Sequence, residues 1–482
     1  MFKDLADVVT NEDRIFKPLI IDPVNGKEYT PYILNYYIDQ VASGLCKLGL
    51  SSNTKIAILS ENSWKYIVTY IGIRRLGLVP VLINAKMSKD QISKILEHSD
   101  AELIFYEEQL SDKVPTDIDS INLDTEFESF LSSTSYNVLN DNEDRPAFII
   151  YTSGSSGNPK GVVVNTKSRR WLMKTFFKKE GKRQTVLVST PMYHMNGLTV
   201  IERNLLNGSR VILMPSFNEE LYIDSIVKYK VEVIPVVPPM MAMILRDPER
   251  IKNLDFSNVS LITLASAPTS PELFKKIKDT FFTATVRLQY GITEVGPALF
   301  RRHPETKKYP EMSVGYPREE IEYRIQDGVL QVKSPSMLSE YYKRDDNFLT
   351  PDGFFDTKDK FIIDDEGFYY FVGRSDDMFV SGGNNIFPSE VEEILEKNIN
   401  ILQASVIGLP DPIKGHNPYA FVVKDKKSSL TEQDVKDFVL ENAPAYQHPR
   451  RVWFLDKMPL TASNKIDKLR LETMAKIYLN EQ

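Results

Sequence analysis

The stretch Thr54–Tyr106, TKIAILSENSWKYIVTYIGIRRLGLVPVLINAKMSKDQISKILEHSDAELIFY, decides the fold. Ile56–Leu59 is an apolar run of strand length. In Ser63–Leu76 the residues Trp64, Ile67, Tyr70, Ile71 and Leu76 recur at helical spacing, and Gly77 stops the pattern. Val79–Ile83 reads as a second strand. Ser88 and Gln91 form a capping box ahead of Ile92, Ile95 and Leu96, and Leu103–Tyr106 is a third strand. The order βαβαβ predicts a parallel or mixed sheet covered by helices.

The same rhythm returns at Arg210–Met214, Glu232–Val237 and Ser260–Leu264, with a helix at Pro271–Phe281, which predicts a second α/β layer. Another apolar strand is expected at Val162–Val164. From Tyr323 the chain turns to short strands: Glu322–Ile325 and Leu330–Val332 around an Asp327–Gly328 turn, then Phe361–Ile363 and Gly367–Val372. Helices at Pro388–Lys397 and Thr431–Glu441 and strands at Ala404–Ile407 and Tyr419–Lys424 predict a compact α+β end. The expected fold class is therefore α/β: residues 1–375 form a large N-terminal domain and residues 376–482 a small C-terminal one, with the boundary in the charged Arg374–Asp377 link.

A chain of 482 residues exceeds what one core serves. Its 42% hydrophobic and 26% charged residues are those of a packed protein. A net charge of −7 argues against general nucleic-acid binding. Cys46 is the only cysteine, which excludes an intrachain disulfide and a cysteine zinc site; lying in the apolar run Val41–Leu50, it is expected in the core. The start lacks an apolar export segment, and no stretch of about 18 uncharged apolar residues occurs. The expectation is a cytoplasmic protein without a membrane span.

Ala147–Tyr151 is an apolar strand running into Thr152-Ser153-Gly154-Ser155-Ser156-Gly157-Asn158-Pro159-Lys160-Gly161. Glycines and small hydroxyl residues let backbone N–H groups approach oxyanions, and Lys160 adds charge, so the loop suits a polyphosphate. It is not the GxxxxGK[ST] loop of the common NTPases. Read alone, it is also compatible with a Ser/Gly surface linker.

Here the sequence resembles the adenylate-forming family of acyl-CoA and aryl-CoA synthetases, peptide-synthetase adenylation domains and firefly luciferase, whose signature is TSGTTGxPKG. The other motifs of that family follow in order. Ala265-Ser266-Ala267-Pro268 stands at the GGAP-like adenine loop, and Gln289-Tyr290-Gly291-Ile292-Thr293-Glu294 matches YGxTE. The resemblance implies that Tyr290 flanks adenine, that Thr293 reaches a phosphate oxygen and that Glu294 helps to hold Mg²⁺. Asp356-Thr357-Lys358-Asp359 replaces TGD, with Asp359 implied to accept from the ribose hydroxyls and Lys358 in the place of a glycine. In the hinge motif Gly373–Glu392, Arg374 is implied to contact ribose or phosphate and Asp376 to be the pivot of a domain rotation. The terminal Pro459–Lys465 implies that Lys465 reaches the carboxylate and the α-phosphate. Asn464 replaces the usual glycine, as in 4-chlorobenzoate- and o-succinylbenzoate-CoA ligases. The implied fold is a large N-terminal domain of two α/β subdomains plus a β-barrel-like one, with a small mobile C-terminal domain. The implied reaction makes an acyl-AMP and pyrophosphate, then a thioester.

Pro191–Leu198 matches the PLFHxxG segment of the acyl pocket. Tyr193, His194, Asn196, Gly197 and Val237 are the pocket candidates, and His194 either orients the acid or is a packed residue. A mainly apolar lining points to an aromatic or medium-length acid rather than acetate or an amino acid. Gly382, Gly383 and Tyr446 are the candidates for the pantetheine arm of CoA, although Gln447 stands where many relatives have a lysine. Lys167–Arg183 holds eight Lys/Arg and one acid. It reads as a solvated helix face or as a dock for an acidic carrier protein bearing phosphopantetheine. The expected cofactors are ATP, Mg²⁺ and CoA; a non-catalytic nucleotide-binding protein ranks last, because Lys160, Glu294, Asp359, Arg374 and Lys465 are all present.

Overall fold

The computed structural model describes residues 16–137, 142–152, 160–177, 183–297, 299–305, 308–344, 347–461 and 464–480. They fall into two compact units: Met1–Pro235 with Gly291–Leu299 and Lys333–Thr350, and Val236–Tyr290 with Phe300–Val332 and Pro351–Gln482.

The first unit contains the predicted βαβαβ. Strands Lys55–Leu59, Val79–Ile83 and Ala101–Tyr106 are parallel, with Lys55–Leu59 in the middle. Ser63 caps helix Trp64–Arg75 by accepting from the Tyr66 N–H, and Ser88 with Gln91 makes the expected capping box on helix Lys89–Ser99. The full strand order is Glu340–Tyr341, Lys160–Asn165, Pro146–Thr152, Val79–Ile83, Lys55–Leu59, Ala101–Tyr106, Asp119–Asn122. Helices cover both faces, which is why Val79–Ile83 is apolar at every position and buried throughout. A second parallel set places Thr185–Val188 between Arg210–Leu213 and Val233–Val236, with Ile20–Ile21 beyond Arg210–Leu213.

The second unit holds the parallel pair Leu261–Leu264 and Thr285–Leu288, with helix Pro271–Thr280 between them in sequence. Glu322–Gln326, Val329–Lys333, Phe355–Ile363 and Tyr369–Arg374 form a four-stranded antiparallel sheet. Asp327 and Gly328 turn between the first two strands with φ of 52° and 79°, as a tight hairpin requires. In the C-terminal part the long hairpin Ile401–Asp411 and Gly415–Lys424 carries two apolar clusters. Val391 and Leu395 join Val435 and Val439 in one; Phe421 and Val423 meet Leu471 and Ala475 in the other.

Cys46 corrects an expectation: it is exposed, near the end of helix Pro31–Lys47, because the helical period carries it off the face that buries Leu34, Ile38, Val41 and Leu45. Among the described residues no helix is long and apolar enough to cross a membrane.

Candidate active site

In the first unit, antiparallel pairing of Pro146–Thr152 with Lys160–Asn165 sets Thr152 opposite Lys160, so the two ends of the expected phosphate loop are neighbours. Ser153, Gly154, Ser155, Ser156 and Gly157 lie outside the described residues. Gly291 opens the turn that carries Thr293 and Glu294. A Cβ there would lie 2.6 Å from the Gly296 carbonyl oxygen and 2.5 Å from Pro297 Cα, so the turn admits only glycine. The Glu294 carbonyl accepts from the Leu338 N–H at 2.8 Å. The Tyr341 hydroxyl donates to Glu294 Oε1 at 3.2 Å, and Lys160 Nζ lies 5.5 Å from the centre of the same ring.

In the second unit, the pairing of Phe355–Ile363 with Tyr369–Arg374 puts Asp359 opposite Arg374. Asp359 is 3% exposed. Its Oδ2 accepts from the Tyr290 hydroxyl at 2.5 Å, while Oδ1 has no hydrogen-bond donor and sits 3.4 Å from Arg374 Nη1. Burial pushes the Asp359 carboxyl up to about 6, although Tyr290, Arg374 and the charge of Lys465 all act to lower it. Desolvation, helped by the charge of Asp376, therefore outweighs two cations here. Burial and the Asp359 charge also push Tyr290 well above the ordinary tyrosine range, so its hydroxyl stays a donor. Arg374 donates through Nε and Nη2 to both oxygens of Asp376, each at 2.7 Å. Burial would raise the Asp376 carboxyl, but this fork holds it below the ordinary value.

Ser266, Ala267 and Pro268 follow strand Leu261–Leu264; the first two are partly exposed and Pro268 is exposed. Gln289 donates its N–H to the Leu264 carbonyl at 2.8 Å, which fixes the segment before Tyr290 alongside. Three residues standing where the resembled motifs have glycine adopt left-handed backbone: Ser266 with φ 71°, Lys358 with φ 61° and Asn464 with φ 60°. Lys358 thus keeps a glycine-like backbone in the TKD turn. Lys465 is exposed, and its N–H donates to Thr461 Oγ1 at 3.2 Å. Its near neighbour Lys468 is committed elsewhere, 3.3 Å from Asp377 and 3.6 Å from Glu392.

The expected acyl segment belongs to the first unit, apart from Val237, which is buried in the second at the start of helix Pro238–Ile244. Helix Met195–Leu206 begins after His194, whose ring meets that of Tyr193 edge-on at 4.9 Å. Asn196 is partly exposed on its first turn. A Cβ on Gly197 would lie 2.1 Å from the Pro191 carbonyl oxygen, so glycine lets the helix press onto this loop. Burial first, and then the charge of Glu61, raise the Tyr193 hydroxyl. The residue that sequence reasoning missed is Asn62. It is 2% exposed, donates from Nδ2 to the carbonyls of Thr190 and Met214 at 3.1 Å, and accepts from the Met192 N–H at 2.8 Å. An asparagine just before a helix cap was the available signal.

Gly382 and Gly383, with φ of 55° and 84°, form the turn between Phe379–Ser381 and Asn384–Ile386, and nothing lies within 4 Å of a Cβ on Gly383. Tyr446 is exposed on the turn Ala445–Gln447. Gln447 is buried and donates to Glu390 Oε2 at 3.0 Å, a packing role in place of the absent charge.

The basic run is not a uniform charged face. Arg169 is 1% exposed, pairs with buried Glu202 and donates to Thr199 Oγ1 at 3.0 Å; Arg170 pairs with Glu143 at 2.9 Å; residues 178–182 lie outside the described residues. The helical period turns Arg169 inward.

For a divalent cation, Glu294 is the candidate. Among the described residues no three His, Cys, Asp or Glu side chains gather as a cage. A single carboxylate completed by substrate phosphates and water fits Mg²⁺, which dehydrates reluctantly.

Residues 13–342 match the family model described as AMP-binding enzyme, and residues 390–465 match the AMP-binding enzyme C-terminal domain. The chain is similar to a 2-succinylbenzoate–CoA ligase of Bacillus velezensis, 30% identical over 472 residues that cover 94% of each chain. Two solved structures share the fold. One is an anthranilate CoA ligase in complex with anthranoyl-AMP, with a TM-score of 0.89, 21% identity and coverage of 99% of this chain and 98% of that one. The other is an o-succinylbenzoate CoA synthetase from Bacillus subtilis in complex with its acyl-adenylate intermediate, with a TM-score of 0.83, 23% identity and coverage of 98% of each chain.

Proposed function

Because the chain belongs to the AMP-binding enzyme family, we propose that it is an AMP-forming acid–thiol ligase that activates a carboxylic acid with ATP and passes the acyl group to CoA. The observation that carries this reading is the Asp359 site. A buried carboxylate keeps one oxygen without a donor, Tyr290 holds the other oxygen, and Arg374 and the charge of Lys465 lie close by. An acceptor in this state suits a ribose hydroxyl, and the nearby cations suit the phosphate beyond it.

In the first step an oxygen of the acid attacks the α-phosphorus, the bond to the bridging oxygen breaks and pyrophosphate leaves. Lys465 offsets the charge that gathers on the carboxylate and the phosphorus oxygens. Thr152, the Ser153–Gly157 loop and Lys160 hold the outgoing phosphates, with Thr293 donating to a phosphate oxygen. Glu294 would hold Mg²⁺, which when bound neutralises pyrophosphate charge. Ser266, Ala267, Pro268, Gln289, Tyr290 and Gly291 frame the adenine, and Asp359 and Arg374 hold the ribose. In the second step the C-terminal residues 376–482 turn about Asp376, withdrawing Lys465 and bringing the Gly382–Gly383 turn and Tyr446 to the thiol. The CoA sulfur attacks the carbonyl carbon, loses its proton, and AMP leaves.

The acid is read as aromatic or of medium length, from the apolar surroundings of Tyr193, His194, Asn196, Gly197 and Val237. CoA is taken as the acceptor because the similar proteins are named CoA ligases and part of the basic run is spent on internal ion pairs. ATP–pyrophosphate exchange driven by a panel of aryl and medium-chain acids, without thiol, tests the first step. Mass detection of the thioester after adding CoA or a holo carrier protein tests the second. Absence of exchange with every acid would refute the activity, and thioester on the carrier alone would replace CoA.

A further inference from the structure

The reaction proposed above needs Glu294 and Lys160 to be spaced for one set of phosphates, yet they come from a turn and a strand end that are 134 residues apart. One segment of the first unit touches both. Ser336 Oγ donates to the Val295 carbonyl at 2.8 Å, and the Leu338 N–H donates to the Glu294 carbonyl at 2.8 Å. Three residues on, the Ser339 N–H donates to Val163 and the Tyr342 N–H to Gly161, at 2.9 and 2.8 Å. Between these anchors Glu340–Tyr341 pairs antiparallel with Val163 and Val162, with Val162 lying two residues past Lys160. The backbone of Ser336–Tyr342 thus stitches the Glu294 turn to the strand that Lys160 begins.

Tyr341 joins the side chains as well. It is 8% exposed and its ring is fixed edge-on by Phe348 at 5.3 Å. The hydroxyl donates to Glu294 Oε1, and the ring face lies towards Lys160 Nζ. One donor on one carboxylate oxygen orients the group and leaves it further acceptor capacity. A cation over a ring keeps its ammonium protons for another acceptor.

We propose that Ser336–Tyr342 is a strap that sets the spacing of the phosphate-side groups, with Tyr341 as the positioning residue that aims Glu294 and Lys160. The role rests on the adenylating reading and concerns the first half-reaction alone, because pyrophosphate has left before the thiol enters.

The test compares Tyr341→Phe, which keeps the ring and its packing, with Tyr341→Leu, which removes both contacts. Calorimetric titration gives the dissociation constant of ATP with and without Mg²⁺ for each full-length protein. Removing a hydrogen bond to a charged group should cut the Mg²⁺-dependent gain in ATP affinity about tenfold in Tyr341→Phe, and further in Tyr341→Leu. Pyrophosphate exchange should fall in step, while thioester formation from supplied acyl-AMP, the KM for the acid and the thermal midpoint of Tyr341→Phe stay at the unsubstituted values. A Tyr341→Phe protein with an unchanged Mg²⁺ effect, or with equal losses in both half-reactions, overturns the proposal. If the unsubstituted chain shows no exchange, the adenylating reading fails instead, and the Mg²⁺·ATP titration still decides the strap.

Discussion

In the ribose-binding role proposed for Asp359, one carboxyl couples folding to the nucleotide. Its pKa of about 6 lies above the ordinary aspartate value near 4. The folded state therefore binds the proton more tightly than the unfolded chain, and the stability tied to this group is full below about pH 4 and lost as pH rises through about 6. On the order of 3 kcal/mol is at stake. Ribose hydroxyls need the ionised form as their acceptor. AMP affinity should therefore weaken as pH falls below about 6, approaching tenfold per unit, and Asp359→Asn should flatten that profile; an Asn variant with the same slope would assign the proton elsewhere. Lys358 offers a separate measurement. Its φ of 61° costs a side chain roughly 1–2 kcal/mol, against about 0.5–1 kcal/mol of extra unfolded-state freedom for glycine. Lys358→Gly should raise urea-unfolding stability by roughly 0.5–1 kcal/mol. The substitution of lysine for glycine was visible in the sequence. That the left-handed backbone survives it was not, because φ is set by the turn that Thr357 and Ser375 close around it: the Asp359 N–H donates to Thr357 Oγ1, and Ser375 donates to the Lys358 carbonyl.

Elements are where the sequence reading was most complete. The strands and caps of Thr54–Tyr106 were legible because parallel strands buried on both faces are apolar at every position, and a capping box is a local pattern. Ile20–Ile21 was invisible: a two-residue strand has no periodicity, and only its partner Arg210–Leu213 defines it. The same holds for the ion-pair core of the first unit, whose members lie far apart in sequence. Glu202 on helix Met195–Leu206 faces Arg169 on helix Thr166–Phe176 and Arg74 on helix Trp64–Arg75, and it accepts from the Tyr70 hydroxyl at 2.7 Å. All are at most 4% exposed. Glu202→Gln should leave two buried guanidinium groups without their counter-charge and cost about 3–5 kcal/mol, measured by thermal or urea unfolding. Gly197 works at the other end of the same helix. A methyl group in Gly197→Ala would have to displace the Pro191 carbonyl, costing about 1–3 kcal/mol through overpacking. If this loop lines the acid site, the KM for the acid should rise with little change in the KM for ATP.

For the whole molecule, the motifs in chain order carried the site further than any single element could, since Tyr290, Asp359, Arg374 and Lys465 are brought together from across 176 positions. The terminal motif points to Lys465, and what chain order leaves out is how differently its neighbour Lys468 is held. Lys465 and Lys468 are three residues apart, and geometry separates them. Lys468 is tied to Asp377 and Glu392, holding the start of helix Lys468–Asn480 to the segment that follows Asp376, whereas the charge of Lys465 reaches Asp359. The two alanine variants should therefore fail differently. Lys465→Ala should lower ATP–pyrophosphate exchange by a hundredfold or more, the scale set by loss of one electrostatic group at a transition state, while thioester formation from supplied acyl-AMP persists. Lys468→Ala should lower the unfolding temperature and slow both halves by similar factors, because it loosens the lobe that both steps use. Equal loss of both halves in Lys465→Ala would remove it from the adenylation step, and a selective loss of exchange in Lys468→Ala would hand that role to its neighbour.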